Sequence, residues 1–363
     1  MRRRGQQPPG GDTGSDPERP LEAAGEAFED GRFEDALAHA EEALRREPRS
    51  VPALHTRAAA LAELGRLDDA RDAYERALAQ GKDDLDLLQG AADFHVNVAQ
   101  EEDTDRELLE RGIELARRGA RLARKAGDAQ LAAELAWLEG AGLNQLGEPR
   151  AALERLAEAE AELPDSVDVL LEKGFALYEL CRFPDARRAL LRAEELDPDG
   201  PWTQHTLGLV AEREGQAEEA RRRFARAREL SPDEFPEPIA LSQEAFDLAV
   251  EDALGSLPEP VRRYLSNVAI TVEDLPSDDD LLASDPPLSP AILGLFRGAP
   301  YGQKVSMDPW SHLPSSIVLF QKNLERFARS RAELIEQIGV TLVHEVGHFL
   351  GLDEDELYAR GLD

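Results

Sequence analysis

At 363 residues with 42% hydrophobic side chains, the chain is long enough for two or more domains with real cores. Its formal net charge of -32 argues against nucleic-acid and anionic-membrane partners, which carry the same sign, and makes a basic partner segment plausible. One cysteine, Cys181, excludes an intramolecular disulfide and a cysteine-rich metal site and suits a reducing cytoplasm.

Residues 1–16 are rich in Pro, Gly and Arg and predict a disordered tail. The basic start Met1-Arg2-Arg3-Arg4 runs into Gln6-Gln7-Pro8-Pro9 instead of an apolar stretch, so it does not read as a secretory signal. No later run approaches the ~18 apolar residues of a membrane span. The expectation is a cytoplasmic, acidic protein.

From residue 17 onward helix follows helix, and a repeat emerges. Gly31, Ala36, Ala43 and Pro48 recur as Gly65, Ala70 and Ala77, and again as Gly147, Ala152, Ala159 and Pro164. Ala186, Ala193 and Pro198 follow, then Gly208, Gly215, Ala220, Ala227 and Pro232. Neighbouring units are spaced by 34 residues, as Gly31 to Gly65 illustrates. Small side chains permit close helix crossing, glycine turns the chain between paired helices, and proline stops the second helix. Over residues 17–234 the chain resembles the tetratricopeptide repeat family, which implies an all-α solenoid that holds a protein or peptide partner. About six units are expected, the third degenerate between roughly 85 and 132 with an insertion around Gln100–Thr104. Tyr74, Phe94, Tyr178 and Trp202 fall at helical repeat positions and are expected in the core. His39, His55, His95 and His205 lie singly, without partners at ligand spacing. Cys181 occupies a turn-glycine position and is expected to be an inert packing residue.

At Phe235-Pro236-Glu237-Pro238 the composition shifts, and residues 235–363 are enough for one further domain. Ser242 opens an amphipathic helix to about Leu254, with Phe246, Val250 and Leu254 on one face. A short helix near Val261–Leu265 precedes a strand at Val268–Val272, and Ile292–Phe296 and Ser316–Phe320 are further strands. Asp278-Asp279-Asp280 reads as solvated charge in a loop, since no calcium-loop glycine and glutamate accompany it. Ser330-Arg331-Ala332-Glu333 fits a capping box, and the apolar stripe Ile335, Ile338, Leu342, Val346, Phe349 predicts a long helix onto the sheet. Gly339 and Gly347 inside that helix suggest close passage of a neighbour's backbone, and Gly351 a C-terminal stop.

That helix carries His344-Glu345-Val346-Gly347-His348. Histidines four residues apart share a helix face, so both imidazoles can reach one zinc ion, with Glu345 beside them to take a proton from water activated there. Such a zinc needs a third protein ligand. Only 15 residues follow His348, which points to Asp353–Glu356 or to an upstream residue such as His312, for which a surface role is the stronger expectation.

The last 120 or so residues resemble small bacterial zincin-like metallopeptidases, through Asn267–Val272, Leu293–Phe296 and His344–Leu352. The resemblance implies a small α+β fold, Zn2+ held by His344 and His348, and Glu345 as general base for peptide-bond hydrolysis. Counting to the third ligand as in zincins reaches Glu354, with Asp353 the runner-up, whereas those enzymes carry His or Asp there. Only Met1 and Met307 exist, so the methionine turn of metzincins is absent. The substrate is expected to lie along an edge strand, either Ser316–Phe320 or Leu293–Phe296. The fold class expected is therefore multidomain, a tetratricopeptide repeat solenoid followed by a small α+β zincin-like domain. Two functions compete: a zinc metallopeptidase whose repeats recruit a protein substrate or partner, and a repeat scaffold whose terminal zinc domain is structural or inactive.

Overall fold

The computed structural model describes residues 19–101, 106–265, 268–298, 316–352 and 356. The expected tail at 1–16, the end of the insertion at 102–104, His312, Asp353 and Glu354 lie outside the described residues. By contact the chain forms two compact units, Met1–Glu172 and Lys173–Asp363.

The first unit consists of helix hairpins. These are α1 (Arg19–Glu29) with α2 (Phe33–Arg46), α3 (Val51–Glu63) with α4 (Leu67–Gln80), α5 (Leu85–Glu101) with α6 (Arg106–Ala126), and α7 (Ala129–Gln145) with α8 (Pro149–Glu162). Alanines at the crossings, among them Ala36, Ala70, Ala120 and Ala152, are almost wholly buried and let the helices approach closely. Tyr74 and Phe94 are core residues, with ring centroids 5.0 Å apart. The degenerate third unit keeps its helical hairpin and lengthens it: α5 has 17 residues and α6 has 21, against 13 and 14 in α3 and α4.

α9 (Val167–Glu179) leads into the second unit, which continues with α10 (Phe183–Leu196), α11 (Pro201–Arg213) and α12 (Ala217–Leu230). Here the 34-residue step is kept, with α10 and α12 beginning at 183 and 217. Between α9 and α10 the chain turns at Cys181 with φ 56°, the left-handed conformation that Gly31, Gly65, Gly147 and Gly215 adopt in the other hairpins. Cys181 N donates to Tyr178 O and Arg182 N to Leu177 O, the bonds that close a helix end. The Cys181 thiol is half-buried, 3.6 Å from Leu288 O, and burial pushes it up to about 11. Tyr178 is core, but Trp202 is not: it is 49% exposed, its Nε1 donating to Glu234 Oε1 at 2.6 Å and its ring packing edge-on against Phe235.

The remainder of the second unit is a three-stranded sheet covered by helices. α13 (Gln243–Ser256) is capped by Ser242 Oγ, and α14 (Glu259–Leu265) precedes β1 (Ala269–Glu273). The acidic triplet forms a short helix, α15 (Asp278–Leu281), not a loop of free charge. Ser277 and Asp280 make a reciprocal capping box, Asp278 pairs with Arg213 at 2.8 Å, and Asp280 accepts from Arg297 at 2.6 Å. β2 (Gly294–Arg297) and β3 (Ser316–Phe320) complete a sheet of order β1-β3-β2, with β1 parallel and β2 antiparallel to β3. β3 is therefore central, which explains why Ile317, Val318, Leu319 and Phe320 are all fully buried. A short helix absent from the sequence expectation, α16 (Gln321–Phe327), separates β3 from α17 (Arg331–Leu350). Buried Asn323 of α16 donates to Pro290 O at 2.9 Å and Ile292 O at 2.7 Å, tying it to the chain that enters β2.

α13, α17 and the sheet enclose one core, in which Phe246, Ile317, Leu319, Ile338, Leu342 and Val346 meet. Ser330 caps α17 as expected by accepting from Glu333 N, while Glu333 reaches back to Arg329 N at 2.8 Å. Among the described residues the close passage expected at Gly339 is not found, since a Cβ there would meet only Leu257 Cδ2 at 3.8 Å. Close approach occurs at Gly294, where a Cβ would stand 2.5 Å from Thr341 Cγ2 of α17.

Candidate functional site

The buried stripe of α17 fixes which way its other side chains turn. Leu342, Val346 and Phe349 anchor one face in the core, and Phe349 also packs on Phe296 of β2 with centroids 5.7 Å apart. Held in this way, the last turns of the helix leave His344 and His348 half-buried, one above the other. Their Nε2 atoms are 3.1 Å apart and their rings stand edge to face, with centroids 4.8 Å apart.

The end of the helix takes part in the site. Gly351 adopts φ 90°, with Gly351 N donating to His348 O and Leu352 N to Gly347 O, each at 3.0 Å. This turn brings Leu352 O to 3.2 Å from His348 Nδ1. A carbonyl acceptor there favours the tautomer with the proton on Nδ1 and leaves the Nε2 lone pair facing His344. The residue pattern signalled the helix stop but not that carbonyl's role.

Glu345 is only 5% exposed and lies on the side of α17 nearest β2, where its Cγ is 3.5 Å from the Cβ position of Gly294. Gly294 thus permits the close packing of β2 on the helix that carries Glu345, and a glycine inside a strand pattern is itself a sign of close backbone approach. Of the two strands expected to receive substrate, Ser316–Phe320 is corrected: it is central and paired on both sides, so it has no free edge. Among the described residues β2, which contains Leu295 and Phe296, pairs only with β3, and its Gly294 lies beside Glu345.

The two histidines fit a zinc ion. Ligand nitrogens ~2.05 Å from a tetrahedral centre are about 3.3 Å apart, close to the observed 3.1 Å separation. Among the described residues, no third His, Cys, Asp or Glu joins the pair. Glu354, Asp353 and His312, the candidates for that position, lie outside the described residues, and Glu356 is exposed.

Comparison with known proteins agrees with both parts of the chain. Residues 265–362 match the family described as Zincin-like metallopeptidase, and residues 27–93 and 143–204 match Tetratricopeptide repeat. Among solved structures, PilW, a widely conserved type IV pilus biogenesis factor, aligns at TM-score 0.51 and 14% identity, covering 64% of this chain and 97% of PilW. Pseudomonas aeruginosa pilF aligns at TM-score 0.49 and 16% identity, covering 65% of this chain and 97% of its own. YrrB, described as a TPR protein with an unusual peptide-binding site, aligns at TM-score 0.40 and 18% identity, covering 53% and 93%. At these identities the PilW likeness speaks to the repeat fold alone. No curated protein matches the chain. Within one chain, then, tetratricopeptide repeats between residues 27 and 204 are joined to a zincin-like metallopeptidase domain at residues 265–362.

Proposed function

We propose that the protein is a zinc-dependent metallopeptidase in which residues 235–363 carry the chemistry and the repeats of residues 17–234 recruit a protein substrate or partner. The observation that carries this reading is the pair of imidazole Nε2 atoms at 3.1 Å with buried Glu345 on the same helix, close to Gly294 of β2. Bound by His344 and His348, with Glu354 or Asp353 as third ligand, zinc would polarise a water and the scissile carbonyl. Glu345 takes the proton from the attacking water on its carboxylate and later delivers it to the leaving amine. Its burial keeps that carboxylate in a weakly solvated place, where a proton passes between partners without exchange with bulk water. Among the described residues β2 is paired on one side only, so an extended peptide can align on the other, and Gly294 lets that strand approach the helix bearing Glu345.

The test compares wild type, His344→Ala and Glu345→Gln for zinc content and for cleavage of an unstructured peptide library. The expected result is zinc in wild type and Glu345→Gln, zinc lost from His344→Ala, and cleavage in wild type alone. Zinc without Glu345-dependent cleavage would favour the scaffold reading, and no zinc in reconstituted wild type would defeat both.

A further inference from the structure

Two adjoining hollows of about 690 and 620 Å³ run along the first helices of the N-terminal hairpins, sharing His55, Gly90 and Asp93 as common wall. Their charged lining comes from α3, α5, α7 and α9: Glu63, Asp86, Asp93, Glu134 and Asp168. No lysine or arginine appears among the described lining residues.

This one-sided charge is a property of the face and not simply of an acidic chain. On neighbouring surfaces of the same unit, carboxylates are matched by arginines of α6. Arg111 pairs with Glu75 at 3.1 Å, Arg117 with Glu139 at 2.8 Å, Arg118 with Asp83 at 2.6 Å and Arg124 with Glu158 at 3.0 Å. Among the described residues none of the five groove carboxylates has an ion pair; Glu134 accepts from Gln89 and Gln130, and Asp93 from Asn97, neutral donors that leave the charge standing. Desolvation between the groove walls, and then the nearby Glu63 charge, raise the Asp93 carboxyl above its ordinary value even against the Asn97 bond. Trp137 contributes an aromatic wall.

We infer that this groove binds an extended, lysine- or arginine-rich segment of a partner protein. Cationic heads would meet Asp86, Asp93 and Asp168, three exposed carboxylates on α5 and α9, while their aliphatic stems lie on Trp137. The inference rests on the reading of the repeats as the recruiting surface and is independent of whether residues 235–363 cleave anything.

The test uses the full chain carrying Glu345→Gln, so that cleavage does not intrude, and follows fluorescence anisotropy of two labelled peptides. One alternates lysine with serine, the other glutamate with serine at equal length. One variant adds Asp86→Asn, Asp93→Asn and Asp168→Asn. A charge-matched control adds Glu244→Gln, Asp247→Asn and Glu251→Gln, which are exposed on α13. The cationic peptide is expected to bind the parent and the control alike, to bind the groove variant about tenfold more weakly, and to weaken with salt. Equal losses in groove variant and control would reduce the effect to overall charge and overturn the inference. So would unchanged binding in the groove variant, or equal binding of the anionic peptide. Cleavage by the wild type, measured separately, reports on the peptidase reading alone.

Discussion

Thr341 and Gly294 touch where helix α17 crosses β2: a Cβ on residue 294 would lie 2.5 Å from Thr341 Cγ2 and 3.3 Å from Val318 O. Neither neighbour can yield easily, since one is a stiff β-branched side chain and the other is backbone of the central strand. Gly294→Ala is expected to push β2 from α17 and to cost about 1–3 kcal/mol of stability, as overpacking does. Gly294→Ala with Thr341→Ser should recover part of that loss in a denaturant titration; no recovery would place the strain elsewhere.

Zinc should stabilise the folded chain in proportion to its occupancy of the histidine pair. At free zinc about a hundredfold above Kd, wild type is expected to gain about 2.7 kcal/mol in unfolding free energy. His344→Ala with His348→Ala should gain none. Thermal unfolding with and without the metal reads the difference without any assay of activity.

His205 should make the second unit acid-sensitive. Burial first, then the Arg326 and Arg228 charges, pull its imidazole down to about 4 from 6.5, and its ring stacks on Phe235 at 4.6 Å. The unfolded chain therefore takes up a proton that the folded chain refuses, so stability falls as pH drops from 6.5 toward 4 and is unaffected above 6.5. The loss is on the order of 2 kcal/mol, and His205→Gln should flatten stability across that window. An unchanged pH profile in His205→Gln would refute the assignment.

Cys181 holds a left-handed turn without the freedom of glycine. Cys181→Gly should stabilise the chain by about 0.5–1 kcal/mol, because a side chain in that conformation costs more than the entropy glycine brings to the unfolded state. The thiol, with its pKa near 11, should react slowly with alkylating reagents at pH 8 and rapidly after unfolding.

Much of this organisation could be read from residue patterns because the physics behind it is local. The turn residues Gly31, Gly65, Gly147 and Gly215 mark hairpins by a conformation most residues avoid. Ser330 and Glu333 announce the start of α17 by their own hydrogen bonds, and Ser316–Phe320 is a strand at the bounds its apolar run suggests. What escaped depends on partners distant in sequence. The central place of β3 comes from pairing with both β1 and β2, so its candidacy as a substrate edge could not be judged from its own residues. α16 is short and held by Asn323 to carbonyls of residues 290 and 292, beyond any periodic signal. Trp202 looks like a core aromatic by position but is exposed, its ring packing edge-on against Phe235. Within the site, the two histidines and the glutamate were legible from spacing, whereas Gly294 and Leu352 O enter only through the fold.

The turn at Gly351 and Leu352 has a consequence for how the site tolerates change. An imidazole that may carry its proton on either nitrogen is a ligand for only part of the time, and the Leu352 carbonyl holds the choice in one state. That carbonyl is delivered by a backbone conformation that residues with a Cβ avoid. On the proposed reading of His344 and His348 as zinc ligands, residue 351 would act on metal affinity from a distance, through geometry alone. A side chain introduced there would loosen the grip of His348 while leaving both histidines in place.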